Sequence, residues 1–378
     1  MTNEQIRRVI MPKWGLSMQT GKVMEWLVSE GDELTEGQDI AEIDTDKIAA
    51  SLESNCSGVV RALIVEVKAD VPVGGTIAIV APADVPQEEI DAVVAEAREQ
   101  IAAGVIEDEL GPKVAEVTID GRLISYAVLG EPESEAIPVV FVHGYGGDKN
   151  AWLFVQEPIS VDRPTYALDL PGHGASSKDV GDGSVTTLAS SLVGFVEKLG
   201  MAGVHLVGHS MGAAVATVAA ADPAAAGKVA SLTLVSPAGY GLDLNAGYIR
   251  GFAQAETRRE LKPHLQQLFA DQSLVSRQLI DDLLKYKRLD GVHAALASIS
   301  ASLLDGERSA VDVTAEQASV DCHTVAVWGA QDKIVPTSNA GSLQGKATVH
   351  IVDGAGHMVH MEKPQAVIAA INEAMGAA

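Results

Sequence analysis

The chain has 378 residues, enough for two or three domains at about 150 residues each. Hydrophobic residues make up 47% and charged residues 21%, which supplies a core and excludes disorder of the whole chain. With 27 basic against 51 acidic side chains, the net charge of −24 repels phosphate backbones and anionic headgroups. Nucleic-acid and membrane-surface partners are therefore not expected. Two cysteines, Cys56 and Cys322, are too few for a disulfide framework. The opening MTNEQIRR lacks the apolar stretch of a signal peptide. A cytoplasmic location is the expectation, and no metal site is expected.

The charge is unevenly spread. Residues 1–83 hold 13 acids and 7 bases, residues 84–120 hold 11 acids and 2 bases, and the other 258 positions hold 27 acids and 18 bases. The density of acids in the middle segment marks a connector. The expected organisation is a first domain over 5–82, an acidic linker over 83–112 and a second domain over 113–378. Within the linker, Ile90, Val93, Val94, Ala97 and Ile101 fall at helical spacing and predict one amphipathic helix.

Residues 6–81 read as short Val/Ile-rich strands between Gly, Asp and Pro turns, an all-β pattern. An internal repeat runs through them at an offset of 37 residues: Leu34, Gly37, Ile40, Ala41 and Ile43 recur as Val71, Gly74, Ile77, Ala78 and Val80. Each copy would form half of a two-sheet sandwich. Between the copies lies Asp44-Thr45-Asp46-Lys47, the polar tip of a tight hairpin. Taken alone, Lys47 is a solvated turn lysine. Its surroundings are more specific: Met11-Pro12, Gly15, Met18, Gly21, Trp26, Gly31-Asp32, Gly37, Asp46-Lys47 and Gly58. On these positions the segment resembles lipoyl domains of 2-oxo acid dehydrogenase complexes. Biotin carriers share that fold but flank the lysine with methionines, where this chain has Asp46 and Ile48. The resemblance implies lipoate attached to Lys47 and an all-β lipoyl/biotinyl-type sandwich.

From residue 113 apolar strands alternate with helical stretches, the pattern of a mostly parallel sheet with helices on both faces. AIPVVFVHG, TYALDL, VHLVGHS, SLTLVSP, HTVAVWG and TVHIV are its expected strands. Gly208-His209-Ser210-Met211-Gly212 is a G-x-S-x-G motif in strand–turn–helix context, which exposes a serine hydroxyl on a sharp turn. Asp332 lies just after strand HTVAVWG and His357 just after TVHIV. The order Ser, Asp, His is that of the α/β-hydrolase triad, in which His357 would take the Ser210 proton and Asp332 would orient the imidazole. Asp169 is a rival acid and His360 a rival base. The loop His143-Gly144-Tyr145-Gly146-Gly147 would offer the Tyr145 amide as one oxyanion donor. Met211, opening a helix, would offer the other. HGYGG, DLPGHG, GHSMG, AQDKIVP and GAGHM occur in order, so 113–378 resembles α/β-hydrolases. At about 238–312 lies a helical insertion in the position of that family's cap. Its basic clusters, Arg258, Arg259, Lys262 and Lys285, Lys287, Arg288, are candidate contacts for the phosphates of coenzyme A.

Together the halves resemble the dihydrolipoamide acetyltransferase (E2) component of bacterial acetoin dehydrogenase complexes. That resemblance implies an acyltransferase moving acetyl from a lipoyl arm on Lys47 to coenzyme A through Ser210, His357 and Asp332. Its implied partners are a thiamine-diphosphate-dependent, acetoin-cleaving E1, a dihydrolipoyl dehydrogenase E3 and a lipoate-attachment enzyme. The HxxxDG motif of the usual E2 catalytic domain is absent. Two alternatives stay open: a lipoyl-linked serine hydrolase or thioesterase releasing the acyl group to water, and an acyl carrier with a non-catalytic docking domain.

Overall fold

The computed structural model describes residues 5–11, 20–35, 37–44, 49–54, 56–103, 112–225 and 227–376. Lys47 lies outside the described residues. The chain divides near Gly111–Pro112 into two units.

The first unit contains β1 (Arg7–Ile10), β2 (Thr20–Trp26), β3 (Glu33–Leu34), β4 (Asp39–Asp44), β5 (Ala49–Glu53), β6 (Gly58–Leu63), β7 (Asp70–Pro72) and β8 (Thr76–Ala81). They form two four-stranded antiparallel sheets, ordered β1-β8-β6-β3 and β5-β4-β2-β7. The 37-residue repeat carries β2 onto β6, β3 onto β7 and β4 onto β8. Each strand and its repeat occupy matching positions in opposite sheets. Val23, Ile40, Ile43, Val71, Ile77 and Val80 meet between the sheets as one buried cluster.

The helix expected in the connector is present as α1 (Gln87–Ala103). It does not stand free. Ile90, Val93 and Ala97 bury against Ala62, Ile64, Ile79 and Ala81, and Arg8 reaches Glu96 at 2.7 Å. Arg61 donates to the carbonyls of Pro82 and Val85 and to the Gln87 side chain at 2.9–3.0 Å. The outer face of β8 is apolar as well as the inner one, and a sheet buried on both faces needs a second cover. The amphipathic helix supplies it.

The second unit opens with β9 (Lys113–Ile119) and β10 (Arg122–Leu129), joined at Asp120-Gly121, both with positive φ. It continues through β11 (Val139–Val142), α2 (Leu153–Ile159), β12 (Thr165–Leu168), α3 (Val185–Lys198), β13 (Val204–His209), α4 (Met211–Ala221) and β14 (Val229–Val235). Four helices follow, α5 (Ala246–Gln254), α6 (Arg258–Leu265), α7 (Arg277–Lys287) and α8 (Val292–Leu303), then a short hairpin of β15 (Leu304–Asp305) and β16 (Arg308–Ser309). The chain returns through α9 (Thr314–Ser319), β17 (His323–Gly329), β18 (Thr348–Val352), α10 (Val359–Glu362) and α11 (Pro364–Ala374).

All six strands expected from the sequence are present and lie parallel in one sheet, ordered β18-β17-β14-β13-β11-β12-β10-β9. The β9–β10 hairpin extends it antiparallel at one edge. It was not among the expected strands, although the Asp-Gly pair between two apolar runs is a hairpin signal. One face of the sheet packs on α3, α4 and the cap helices, the other on α2 and α11. The architecture is an all-β lipoyl/biotinyl-type sandwich followed by an α/β-hydrolase fold. No helix among the described residues is long and apolar enough to cross a membrane.

Candidate active site

The functional loops leave the carboxyl ends of neighbouring parallel strands, where ligands of open α/β sheets bind. Ser210 follows β13 at φ 53° and ψ −119°, a strained conformation for a residue with a side chain. The turn is held by Ser210 N donating to the Val235 carbonyl at 2.9 Å and Ala238 N donating to the Ser210 carbonyl at 3.2 Å. It exists because the flanking glycines allow close approach. A Cβ on Gly212 would lie 2.3 Å from the His143 carbonyl oxygen, and one on Gly208 would lie 2.4 Å from that of Gly212. The hydroxyl is thus lifted off the sheet at the head of α4, where the helix dipole favours developing negative charge.

His357, after β18, has its Nδ1 2.8 Å from Asp332 Oδ2. Both side chains are buried, at 3% and 0% exposure. The other carboxylate oxygen accepts from the amides of Ile334 and Val335 at 2.8 and 3.0 Å. An aspartate so fixed holds the imidazole with Nε2 unprotonated and ready to accept. The Ser210 hydroxyl has no hydrogen-bond partner among the described residues. The structure therefore joins His357 to Asp332 and leaves Ser210 Oγ uncommitted, as is common before substrate tightens the contact.

Both rivals are placed elsewhere. Asp169 accepts from Lys149 N, Lys149 Nζ and Ala175 N at 2.7–2.8 Å. It is a buried structural anchor. His360 is fully buried between the rings of Trp152 and His209 at 4.7 and 4.5 Å. No acid approaches it, and neither ring nitrogen has a partner among the described residues.

The HGYGG loop follows β11, which pairs directly with β13. A Cβ on Gly144 would lie 3.1 Å from Ser210 Cβ, so the loop runs against the nucleophile. The Tyr145 hydroxyl donates to the Leu296 carbonyl in α8 at 2.9 Å, which commits the side chain to the cap. Neither the Tyr145 nor the Met211 amide has an acceptor among the described residues. For Met211 this is the ordinary state of a first helical residue.

Two features escaped the sequence reading. His209 Nε2 donates to the His357 carbonyl at 3.0 Å, tying the two functional loops together. Glu362 accepts from Gly356 N with one oxygen, at 2.7 Å, and from Ala270 N with the other, at 2.8 Å. It thereby clamps the His357 loop to the end of the cap. The sequence marks His209 as the buried neighbour of the nucleophile but not its bond to His357, and an acid five residues after His357 carries no signal that separates it from surface residues.

Three of the six basic side chains in the cap clusters are committed. Arg258 forms a two-point contact with Asp281, one arm at 2.6 Å, and Lys285 pairs with Asp282 at 3.4 Å. Lys287 is buried and donates to the carbonyls of Phe252 and Ala253 at the end of α5. No group of His, Cys, Asp and Glu able to hold a metal ion occurs among the described residues.

Residues 139–370 match the alpha/beta hydrolase family, and residues 7–80 match a family described as biotin-requiring enzyme. The chain is similar to the dihydrolipoyllysine-residue acetyltransferase component of the acetoin cleaving system of Pseudomonas putida, at 40% identity over 96% of each chain. It is equally similar to the component of that name from Cupriavidus necator, at 40% identity over 97% of each chain. Among solved structures it is similar in fold to a meta-cleavage product hydrolase, with a TM-score of 0.62 and 20% identity over 71% of this chain and 99% of that one.

Proposed function

The chain belongs to the family of dihydrolipoyllysine-residue acetyltransferase components of acetoin cleaving systems, and from that premise we propose that its second unit transfers acetyl to coenzyme A through a Ser210 ester. The observation that carries this is the buried His357–Asp332 pair, bonded through the His357 carbonyl to His209, the residue before Ser210 on its strained turn. Ser210 Oγ attacks the carbonyl of an incoming acyl thioester while His357 Nε2 takes its proton. The oxyanion is met by the Tyr145 and Met211 amides, each such donor contributing roughly 3 kcal/mol. Collapse expels the thiolate, which takes the proton back from His357. In the second half His357 deprotonates the thiol of coenzyme A, whose sulfur attacks the ester, and Ser210 recovers its proton.

Lys47 is the proposed lipoate attachment point. Asp44 pairs with Ala49 across β4 and β5, and Lys47 falls between them in the sequence. Lipoate in amide linkage there would supply a disulfide that takes up an acyl group as it is reduced, one sulfur carrying the thioester, and then hands the group over. The partners are an acetoin-cleaving E1, a dihydrolipoyl dehydrogenase E3 and a lipoate-attachment enzyme, and the setting is the cytoplasm.

The test is to supply S-acetyl-dihydrolipoamide with and without coenzyme A and to quantify acetyl-CoA against acetate. Acetyl-CoA in the wild type and neither product with Ser210→Ala is the expected result. Acetate as the main product in the presence of coenzyme A identifies a hydrolase, and full transfer by Ser210→Ala removes the serine from the mechanism. Intact mass of the chain from lipoylating cells, compared with Lys47→Arg, tests the attachment point.

A further inference from the structure

The HGYGG loop has few anchors of its own. Three of its five residues are glycine, and at Gly146, with φ 74°, a Cβ would lie 2.4 Å from the Phe252 ring. No side chain can be placed there to hold the loop. Something else must set the direction of its amides, because an oxyanion donor works only when already aimed.

Two histidines do this by a reciprocal clasp with the DLPGHG loop after β12. His143, in the first loop, accepts from Leu170 N of the second at 3.0 Å through Nε2. His173, in the second, accepts from Gly146 N of the first at 3.1 Å, also through Nε2. Each ring has its other nitrogen against a carbonyl: His143 Nδ1 lies 2.7 Å from Gly144 O, and His173 Nδ1 lies 3.1 Å from Pro171 O. That fixes both rings as neutral Nδ1–H tautomers. The rings stand edge to face at 4.8 Å and neither is exposed to solvent. The second loop is itself rigid. Asp169, at its start, pairs at 2.7 Å with Lys149, two residues beyond the HGYGG loop, and Lys178 Nζ gathers the carbonyls of His173, Gly174 and Ser176 at 2.6–3.2 Å.

We infer that His173 is a positioning residue for acyl transfer, holding the Gly146 amide so that the preceding amide, Tyr145 N, faces the oxyanion. The inference rests on the Ser210 reading given above. It deepens that reading by adding a residue more than thirty positions from the nucleophile in sequence. Burial, which keeps the His173 ring well below the usual histidine range, maintains the acceptor at neutral pH.

The test uses the full chain with S-acetyl-dihydrolipoamide and coenzyme A. His173→Ala removes the acceptor, and kcat and kcat/KM are expected to fall together by about 10- to 100-fold, the signature of an interaction made in the transition state. His173→Gln places an amide oxygen near the lost nitrogen, and recovery of about tenfold over the alanine variant is expected. A purely structural role would instead lower thermal stability in both variants without this rescue. If His173→Ala does not fold, histidine 15N NMR of the wild type decides. A bare Nε2 and protonated Nδ1 on His173 support the clasp, and the opposite tautomer overturns it. Unchanged kcat in His173→Ala, or equal losses in the Ala and Gln variants, also overturns it. Ser210→Ala run in parallel separates the outcomes: full transfer there refutes the serine mechanism, whereas an inactive Ser210→Ala beside a fully active His173→Ala refutes only the clasp.

Discussion

Acid should loosen the second unit through its buried histidines. His360, His209 and His173 are at most 5% exposed, and burial, the leading cause in each, pushes their pKa values down: His360 to about 3, the other two well below the usual value. In the unfolded chain each titrates near 6.5. Between those values the unfolded state binds more protons, so stability rises with pH and is lost as pH falls through about 6.5. At pH 7.5 an unfolded histidine is about 10% protonated and at pH 5.5 about 90%. The loss per residue is therefore about 1.4 kcal/mol, provided only that the folded value lies below the assay pH. Three such residues give about 4 kcal/mol. Asp148 and Glu157, whose pKa values burial raises, work in the opposite sense, so the gross slope is not the cleanest measure. His360→Phe isolates one contribution. Neither nitrogen of that ring has a partner among the described residues, so no hydrogen bond is lost, and any packing change acts equally at both pH values. Hydrogen exchange of the β13 and β14 amides in urea reports the second unit separately from the sandwich. The stability lost between pH 7.5 and 5.5 should be about 1.4 kcal/mol smaller in His360→Phe than in the wild type. An equal loss in both would refute the reasoning.

Four further outcomes are expected. Asp332→Asn keeps the shape of the site but releases the His357 tautomer, and kcat should drop by about 10⁴ with the circular dichroism spectrum unchanged. Lys149→Met leaves the Asp169 carboxylate buried without its ion pair and should cost about 3–5 kcal/mol in urea unfolding. Gly212→Ala drives a Cβ against two backbone carbonyls at 2.3–2.4 Å; the turn must open, and thermal unfolding should show loss of several kcal/mol together with loss of activity. Ile90→Ala should destabilise the sandwich by about 2–5 kcal/mol, measured as exchange of the β8 amides, because α1 covers that sheet rather than tethering it.

The position of α1 changes how the acidic connector is understood. Its charge density marked a connector, yet Ile90, Val93 and Ala97 are withdrawn from water against the outer face of β8. An amphipathic pattern states that a helix has an apolar face. It does not state which surface that face will cover. The cap behaves in the same way. Lys285, Lys287 and Arg288 look like an anion site when only their spacing is known. In the fold Lys285 meets Asp282, and Lys287 turns inward to the end of α5.

Local rules sufficed for much of this protein. Period-two apolar runs bounded by turn residues yielded the sandwich and its repeat. Continuous apolar runs yielded the six parallel strands, and G-x-S-x-G between strand and helix yielded the strained serine, because each strand and turn is written within a dozen consecutive residues and the repeat only copies such a stretch. The order Ser210, Asp332, His357 was likewise visible. The sequence favoured Asp332 and His357 but left Asp169 and His360 as rivals, since each pair shares its local setting after a strand or on one short turn. Tertiary structure gives the rivals other surroundings: Lys149 and two backbone amides claim Asp169, while Trp152 and His209 enclose His360. It also supplied the contacts of His209 to His357, of Glu362 to Ala270 and of the His143–His173 clasp, which join residues 27 to 148 positions apart. Hydrogen bonds across such separations are set by how strands order themselves in the sheet, and that order is a property of the packed core rather than of any stretch of chain.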